Sequence, residues 1–570
     1  MACMAPRGPA AIPHPSSERA GLRRPARCAM AKAVNPRKKA LPAPLSIRLY
    51  APGMTPLLRA GAGGLAASLR AILGSASPAA PWPSPVRLGP GTATVEQEAI
   101  HLDWGGKAPE ATLRALFGAS FRVKQGFIDL PGTRPPGAPE PPPELAAALH
   151  DALKVTFLQH GKSTQGGARR RVTFEVDARP VIVESQGYDS FVHQTAWQSV
   201  LEALEVGSTS LASWAYPGAA ERHIGVRVTK VEYTAAEALC ACFALVGCVS
   251  YKLPQLRGGA FVALAPTNLV RFAELRPGLT PKRLRDVAVA GASDAVLAAQ
   301  LVMAQEAGKK RLGAVLGTTE AVALRQMPWN AQQKIRGAVV RQDAVLEEVL
   351  DRYEAAAAAL PHTLRVRKPE GKATGEASYF IAISALRAFI TENLAASRPW
   401  YADFATATTA EGRFIHDYRD RDNLGALLWH ERKGLIAMHP YLGEAEQWLV
   451  QSVHLALRSR FKSIYADTKE SAPATRSNRL KGERERLRLS FAGAKTPEQV
   501  RAALADLWSR AGTNRELQEH WRDILQLLGP ERWRAARDLA LVALASYQGK
   551  GGEAAELEDA DEAAGASEQS

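Results

Sequence analysis

Hydrophobic and polar positions are most sharply ordered between Lys495 and Gly551, where three apolar-periodic runs follow one another. Val500, Leu504, Leu507 and Trp508 recur at helical spacing, as do Leu517, Trp521, Ile524 and Leu528, and then Trp533, Ala536, Leu539, Ala540 and Tyr547. Thr496 with Pro497 and Gln499, and Thr513 with Glu516, read as N-terminal caps, and Gly529-Pro530 reads as a stop before the third run. The pattern predicts a compact module of three helices, with Trp508, Trp521 and Trp533 on its apolar faces as core residues.

Elsewhere the periodicity changes along the chain. Leu45 to Ala51 alternates as a strand, and Leu58, Leu65, Leu69 and Ile72 then mark one side of a helix. Ser75–Pro90 and Pro131–Pro143 are proline-rich and read as surface loops. A helix at Glu144–Gln159 precedes a region, Val172 to about Ala290, in which β-rich runs recur: VTFEVD, PVIVES, GVRVTKVEY, AFVALAP and DVAVAG. Helical patterns such as Thr234–Val246 separate them. From about Ser293 the pattern turns almost wholly helical, and Ala331–Ala359 is the longest candidate, through Ile335, Val339, Leu346, Val349, Leu350 and Tyr353. The expected fold class is α+β: a mixed α/β N-terminal large domain (45–292, with the Pro-rich loops), followed by a mostly helical region that comprises a middle part (293–437) and a C-terminal helical bundle (438–551). Residues 1–44 form a basic extension and 552–570 an acidic tail. Both have too little to bury and are expected to be disordered.

Charge sharpens this picture. The chain has 72 Lys and Arg against 57 Asp and Glu, a formal +15. The basic extension and the acidic tail nearly cancel, so the folded body itself is strongly basic and phosphate-bearing partners are expected. Cys240, Cys242 and Cys248 sit in ALCACFALVGC without the paired spacing or nearby His of a zinc site, and read as buried reduced thiols. That run is shorter than the roughly 20 apolar residues a membrane span needs. The expected compartment is the cytoplasm, with no membrane contact.

Two basic stretches are the candidate sites. GKSTQGGARRR, at 161–171, ends like a phosphate loop, but a Walker A motif needs a Gly where Thr156 stands. It reads either as a solvated hairpin or as a nucleic-acid finger, whose candidate contacts are Lys162, Gln165, Arg169, Arg170 and Arg171. Arg458 to Arg488 holds ten Lys/Arg against four acids, and TKESAPATRSNRLKGERERLR within it reads as a helix that breaks into a polar loop and resumes. It is either a solvated face or a phosphate-backbone contact through Arg476, Arg479, Lys481, Arg484 and Arg488. DYRDRDN, 417–423, lacks the Gly and distal Glu of a calcium loop and reads as a surface ion-pair cluster. No metalloprotease, hydrolase or deaminase signature occurs, so neither catalysis, a metal nor a cofactor is expected.

Several stretches in order resemble one family. They are Ala51-Pro52-Gly53-Met54-Thr55 with Leu58, Ala60, Gly61, Gly64 and Leu65, then SRPWYADF at 397–404, ERKGL at 431–435, and DLWSRAG, LQEHW and LALVALASYQGKG near the C-terminus. The combination, over residues 45 to 551, resembles the Myxan-subtype large subunit of type I CRISPR Cascade-like interference complexes, the fruiting-body developmental protein DevT family. The resemblance implies a subunit of an RNA-guided surveillance complex in antiviral defence. Guide pairing reads the target there, while the large subunit binds target double-stranded DNA beside a short flanking motif, stabilises the displaced strand and recruits a nuclease-helicase effector. Its partners would be the crRNA-containing complex and the other Cascade subunits, and its C-terminal bundle would be similar to their small subunits. The resemblance also implies a second role, as a developmental regulator of its operon, affecting sporulation and fruiting-body formation.

Overall fold

The computed structural model describes residues 42–159, 163–211, 231–327, 330–343, 346–367, 376–408, 414–416, 431–512 and 514–547. The N-terminal part runs β1 (Leu45–Arg48), α1 (Pro56–Ala76), β2 (Val86–Leu88), β3 (Gly91–Val95), β4 (Ala99–Asp103), α2 (Pro109–Ser120), β5 (Arg122–Lys124), β6 (Phe127–Asp129) and α3 (Pro143–Val155). It continues through β7 (Thr164–Val176), β8 (Arg179–Phe191), α4 (Trp197–Val206), α5 (Ala235–Gly247), β9 (Val249–Leu253), β10 (Gly258–Pro266), α6 (Leu269–Leu275), α7 (Ala292–Ala307), β11 (Leu316–Met327) and β12 (Asn330–Gln342). Then come α8 (Glu347–Ala359), β13 (Thr363–Arg367), β14 (Ser378–Ala382), α9 (Ala385–Ala395) and α10 (Arg432–Met438). The C-terminal region is helical: α11 (Glu444–Asp467), α12 (Pro473–Gly493), α13 (Pro497–Ala511), α14 (Arg515–Leu527) and α15 (Trp533–Ser546). The α+β class, with sheets N-terminal and a helical C-terminus, is therefore the observed one.

Two antiparallel four-stranded sheets, in the orders β1-β4-β3-β2 and β12-β11-β10-β9, organise the chain from Leu45 to Gln342. The second sheet divides two hydrophobic cores. Ala260, Val262 and Leu264 of β10 belong to one, and Phe261 and Ala263 to the other, as the alternation of a strand requires. Burial on both faces is why AFVALAP reads as an unbroken apolar run.

In the first core, α1 crosses α5 at backbone contact. Thr55 caps α1 by accepting the Leu58 N–H, and Thr234 and Glu237 form a capping box on α5. A methyl at Gly61 would lie 1.9 Å from the Cys240 carbonyl oxygen, one at Gly64 2.3 Å from that of Phe243, and one at Gly247 1.7 Å from that of Ala60. The small residues quoted for the family resemblance are thus the ones that permit this approach. The second core runs from Val249 to Tyr547, so it is continuous from the sheet into the C-terminal helices. Wholly buried Asp294 ties three of its helices together by accepting from Tyr353 Oη (2.8 Å) and Arg387 Nε (3.0 Å). Burial opposes its ionisation, but Arg387, His362 and the Ala290 N–H hold the carboxyl well below its ordinary range.

Several sequence expectations are corrected. Ala331–Ala359 is not one helix: β12 runs through it as far as Gln342, pairing Val339 with Val322, and α8 begins only at Glu347, leaving Leu346 73% exposed. Pairing with a strand distant in sequence overrides the local helical spacing. The region after Ser293 accordingly contains, among the described residues, the four strands β11 to β14. DVAVAG forms a 3-10 turn (Leu284–Val287) and one isolated bridge from Ala288 to Lys252 instead of a strand. The stretch 75–90 is not all loop, since it includes β2. In the C-terminal module Thr496 caps α13 as expected, but α14 is capped by Asn514, which accepts the Leu517 N–H at 3.1 Å. Thr513, the sequence candidate for that cap, lies outside the described residues. Trp533 is buried and Trp508 half-buried, whereas Trp521 is 50% exposed beyond a break in helical geometry at His520. GVRVTKVEY falls mostly outside the described residues, as do DYRDRDN and the bulk of both terminal segments.

Gly64→Ala should destabilise the protein by about 3 kcal/mol, because neither backbone can yield, and chemical denaturation would measure it. A second expectation concerns pH. His454 of α11 donates from Nε2 to the Ala543 carbonyl at 2.9 Å, and burial pulls its pKa down to about 4. The unfolded chain takes up this proton near the ordinary value of about 6.5, so stability is lost as pH falls through that window. The thermal midpoint should drop between pH 7 and 5, and drop less in His454→Gln.

Candidate nucleic-acid interface

The first basic stretch is a strand, not a loop. β7 and β8 pair over 13 residues each, with register shifts at Gly166 and Arg169, and turn at Asp177-Ala178. Both turn residues have positive φ (50° and 57°), as a tight two-residue hairpin with matching twist requires. The tip therefore lies beyond the arginines, which stand mid-strand. Arg169, Arg170 and Arg171 are exposed, and so is Gln165, whose Oε1 accepts from Ser190 Oγ. Arg169 approaches Glu184 at 3.8 Å and Arg171 pairs with Glu376, which leaves Arg170 the cation of the three without an acidic partner among the described residues. Lys162 lies outside the described residues. On its inner side the ribbon is anchored by Val172, Val176 and Val181, and Phe174 meets Tyr379 of β14 edge-on.

The second stretch is also more regular than its composition implies. Only Thr468–Ala472 connects α11 to α12, because Pro473 starts the helix at its first turn, where a missing N–H costs nothing. Arg476, Arg479 and Lys481 thus stand on a helix rather than in a loop. The inward face of α12 carries Leu480, Leu487 and Phe491, and Arg484 and Arg488 fall on that same stripe. Both are buried, which corrects the expectation that they meet DNA. Arg484 donates to the Tyr547 carbonyl and lies over the Phe461 ring. Arg488 holds Glu485 through two 2.8 Å hydrogen bonds and reaches His416 Nδ1 at 3.2 Å. Their spacing from Leu480 and Leu487 was the available signal, and the arginine count obscured it.

The remaining charge divides again. Arg460 and Arg486 converge on Glu483, and Arg486 also reaches Asp506 at 2.8 Å. Burial opposes ionisation of Glu483, yet hydrogen bonds from the two arginines hold its carboxyl below the usual range. Arg476 stacks over Tyr465 and donates to the Lys469 carbonyl. What stays exposed without an acidic partner among the described residues is Arg479 and Lys481 on α12, with Arg458 and Lys462 on α11 and Lys469 just beyond it. The α11 cations fell within the basic run, but sequence reasoning did not single them out. Such a face can meet a phosphate backbone without base specificity. The hairpin packs on β5, β6, α3 and β14, and α12 on α11, α13 and α15, so different layers carry the two basic clusters.

Nothing in the described residues groups three or more His, Cys, Asp or Glu as a metal site. Cys240, Cys242 and Cys248 are fully buried and burial raises all three thiols, Cys242 to about 12, which suppresses the reactive thiolate. None of the helices searched is long and apolar enough to cross a membrane.

Residues 46–242 match the DevT N-terminal domain, and residues 440–570 match the DevT C-terminal domain. Together the two matches cover more than half of the chain. The hairpin lies in the first and α11 to α15 in the second.

Replacing Arg479 and Lys481 by Ala should lower the slope of log K against log salt for DNA binding by about 2 and leave the fold intact. Arg488→Ala should instead cost about 3 kcal/mol of stability, since it removes the buried guanidinium's hydrogen bonds to Glu485 and His416. Binding measured across a salt series, beside thermal melts, separates the two.

Proposed function

The chain belongs to the DevT family, and from that membership we propose that it is the large subunit of a type I CRISPR RNA-guided DNA surveillance complex, acting in antiviral defence. It binds target double-stranded DNA, helps to hold the displaced strand and provides the docking point for a nuclease-helicase effector, within a crRNA-containing complex of Cascade subunits. The observation that carries this reading is the row of exposed cations on α11 and α12 that no acidic side chain among the described residues neutralises. Together with the strongly basic body it supports phosphate-backbone binding. The exposed Gln165 and Arg169–Arg171 suit the reading of base edges at the flanking motif, because Arg can donate twice and Gln can donate and accept in the bidentate pairs that major-groove recognition uses.

The DevT match also supports a regulatory role in fruiting-body development, on its operon's transcription. Purification from native cells separates the two readings. Co-elution with a guide RNA and other subunits upholds the surveillance role, while a free species bound to promoter DNA upholds the regulatory one.

Ala substitution of Gln165 and Arg169–Arg171 should flatten the preference of the purified complex across a library of flanking sequences, with each lost bidentate contact relaxing discrimination about ten-fold. A preference that survives places the reading element elsewhere.

A further inference from the structure

Three of the family-like stretches meet around one cavity of about 450 Å³. SRPWYADF contributes Trp400, ERKGL contributes Leu435, and the apolar C-terminal run contributes Val542 and Tyr547. The loop that carries Trp400 is held rigidly. Asn393 Nδ2 donates to the carbonyls of Trp400 (3.0 Å) and Ala402 (2.9 Å), and Asp538 on α15 accepts the backbone N–H groups of Asp403 (2.8 Å) and Ala405 (3.2 Å). Tyr401 Oη donates to Glu446 Oε1 on α11 at 2.6 Å. Helices from both sides of the loop therefore fix the indole in place.

The chemistry of the lining is specific. Trp400 is 2% exposed, and its Nε1–H is buried with no acceptor among the described residues. Buried indole N–H groups ordinarily find a partner, so this donor is open to an acceptor on a ligand. Leu442, Val450 and Leu455 supply an apolar floor, and no Asp or Glu among the described residues belongs to the lining. His439 and His454 are both made less basic by burial, so they face a ligand as neutral rings near pH 7. His454 engages its Nε2–H with Ala543, which leaves Nδ1 as an acceptor. Gln451 adds an amide that can both donate and accept, and exposed Arg458 is the charged member of the lining.

We propose that this cavity binds one nucleotide, its base inside and its phosphate at Arg458. The base edge would take hydrogen bonds from Trp400 and Gln451, the ring would lie among the aromatic and aliphatic walls, and no carboxylate repels the phosphate. Lys462, exposed one turn further along α11, continues the cationic path for the next phosphate. The proposal deepens the nucleic-acid reading and rests on it for the source of the nucleotide, which is either an unstacked residue of a bound strand or a free mononucleotide.

The test uses the full chain, with adenosine monophosphate, a twelve-residue oligothymidylate and an abasic oligomer of the same length as probes. The Trp400 indole N–H resonance, assigned by its loss in Trp400→Phe, is followed by NMR, and affinities are read by fluorescence anisotropy. The expected result is that at least one base-containing probe moves the resonance. Trp400→Phe and Gln451→Leu should each weaken oligothymidylate about ten-fold and leave the abasic oligomer unchanged. Gln451→Leu keeps the test alive should Trp400→Phe fold poorly. A shift with the monophosphate identifies a free-nucleotide site, and one with oligothymidylate alone identifies an unstacked strand residue. The proposal is overturned if neither base-containing probe moves the resonance, or if the variants weaken both oligomers alike. Strand binding with its normal salt dependence and a still indole sinks the cavity alone. A monophosphate shift in a chain that binds no strand upholds the cavity and sinks the nucleic-acid reading.

Discussion

The contact on which the N-terminal half depends is the crossing of α1 and α5, where Gly61, Gly64 and Gly247 bring one helix backbone against the other. The crossing tolerates no side chain, which sets the helix separation and therefore how both helices sit against β10. The β9–β12 sheet then has a core on each face, one beneath α1 and α5 and the other reaching into the C-terminal helices. A shift at the glycines would be felt through the sheet, because packed interiors transmit strain rather than absorb it.

Charge in this protein does two kinds of work that composition cannot separate. Some arginines are internal fittings: Arg387 holds Asp294, Arg276 donates from Nε and Nη2 to the carbonyls of Val246 and Cys248 at the end of α5, and Arg488 holds Glu485. Others, such as Arg479 and Lys481, stand in solvent with no acidic partner among the described residues. Only the second kind is available to a polyanion, since a buried cation already spends its hydrogen bonds on the fold. The basic surface is consequently narrower than the residue count implies, and it extends onto α11.

Trp400 shows how much a motif can conceal. In the sequence SRPWYADF is a short aromatic and polar string with no evident task. In the fold it is a clamped loop, with Ser397 and Asp403 in the left-handed region and its indole set at a cavity wall. Strained backbone positions of this kind persist where the surroundings over-determine them, and here Asn393 and Asp538 do so.

The sequence by itself determined the elements whose signals are local. The Thr496 cap, the apolar faces of α1 and α13, the helix of α5, and the VTFEVD and PVIVES strands all rest on interactions within a few residues. The α+β class followed from them, as did the presence of two basic clusters. Tertiary structure decided what depends on distant partners: that 330–342 is a strand, paired with β11, and that Arg484 and Arg488 turn inward while Trp521 turns out. It also decided that Trp400, Leu435 and Tyr547 share one cavity. Periodicity reports which face of an element is apolar. It carries no information about which faces meet, and charge and function are allocated at those meetings.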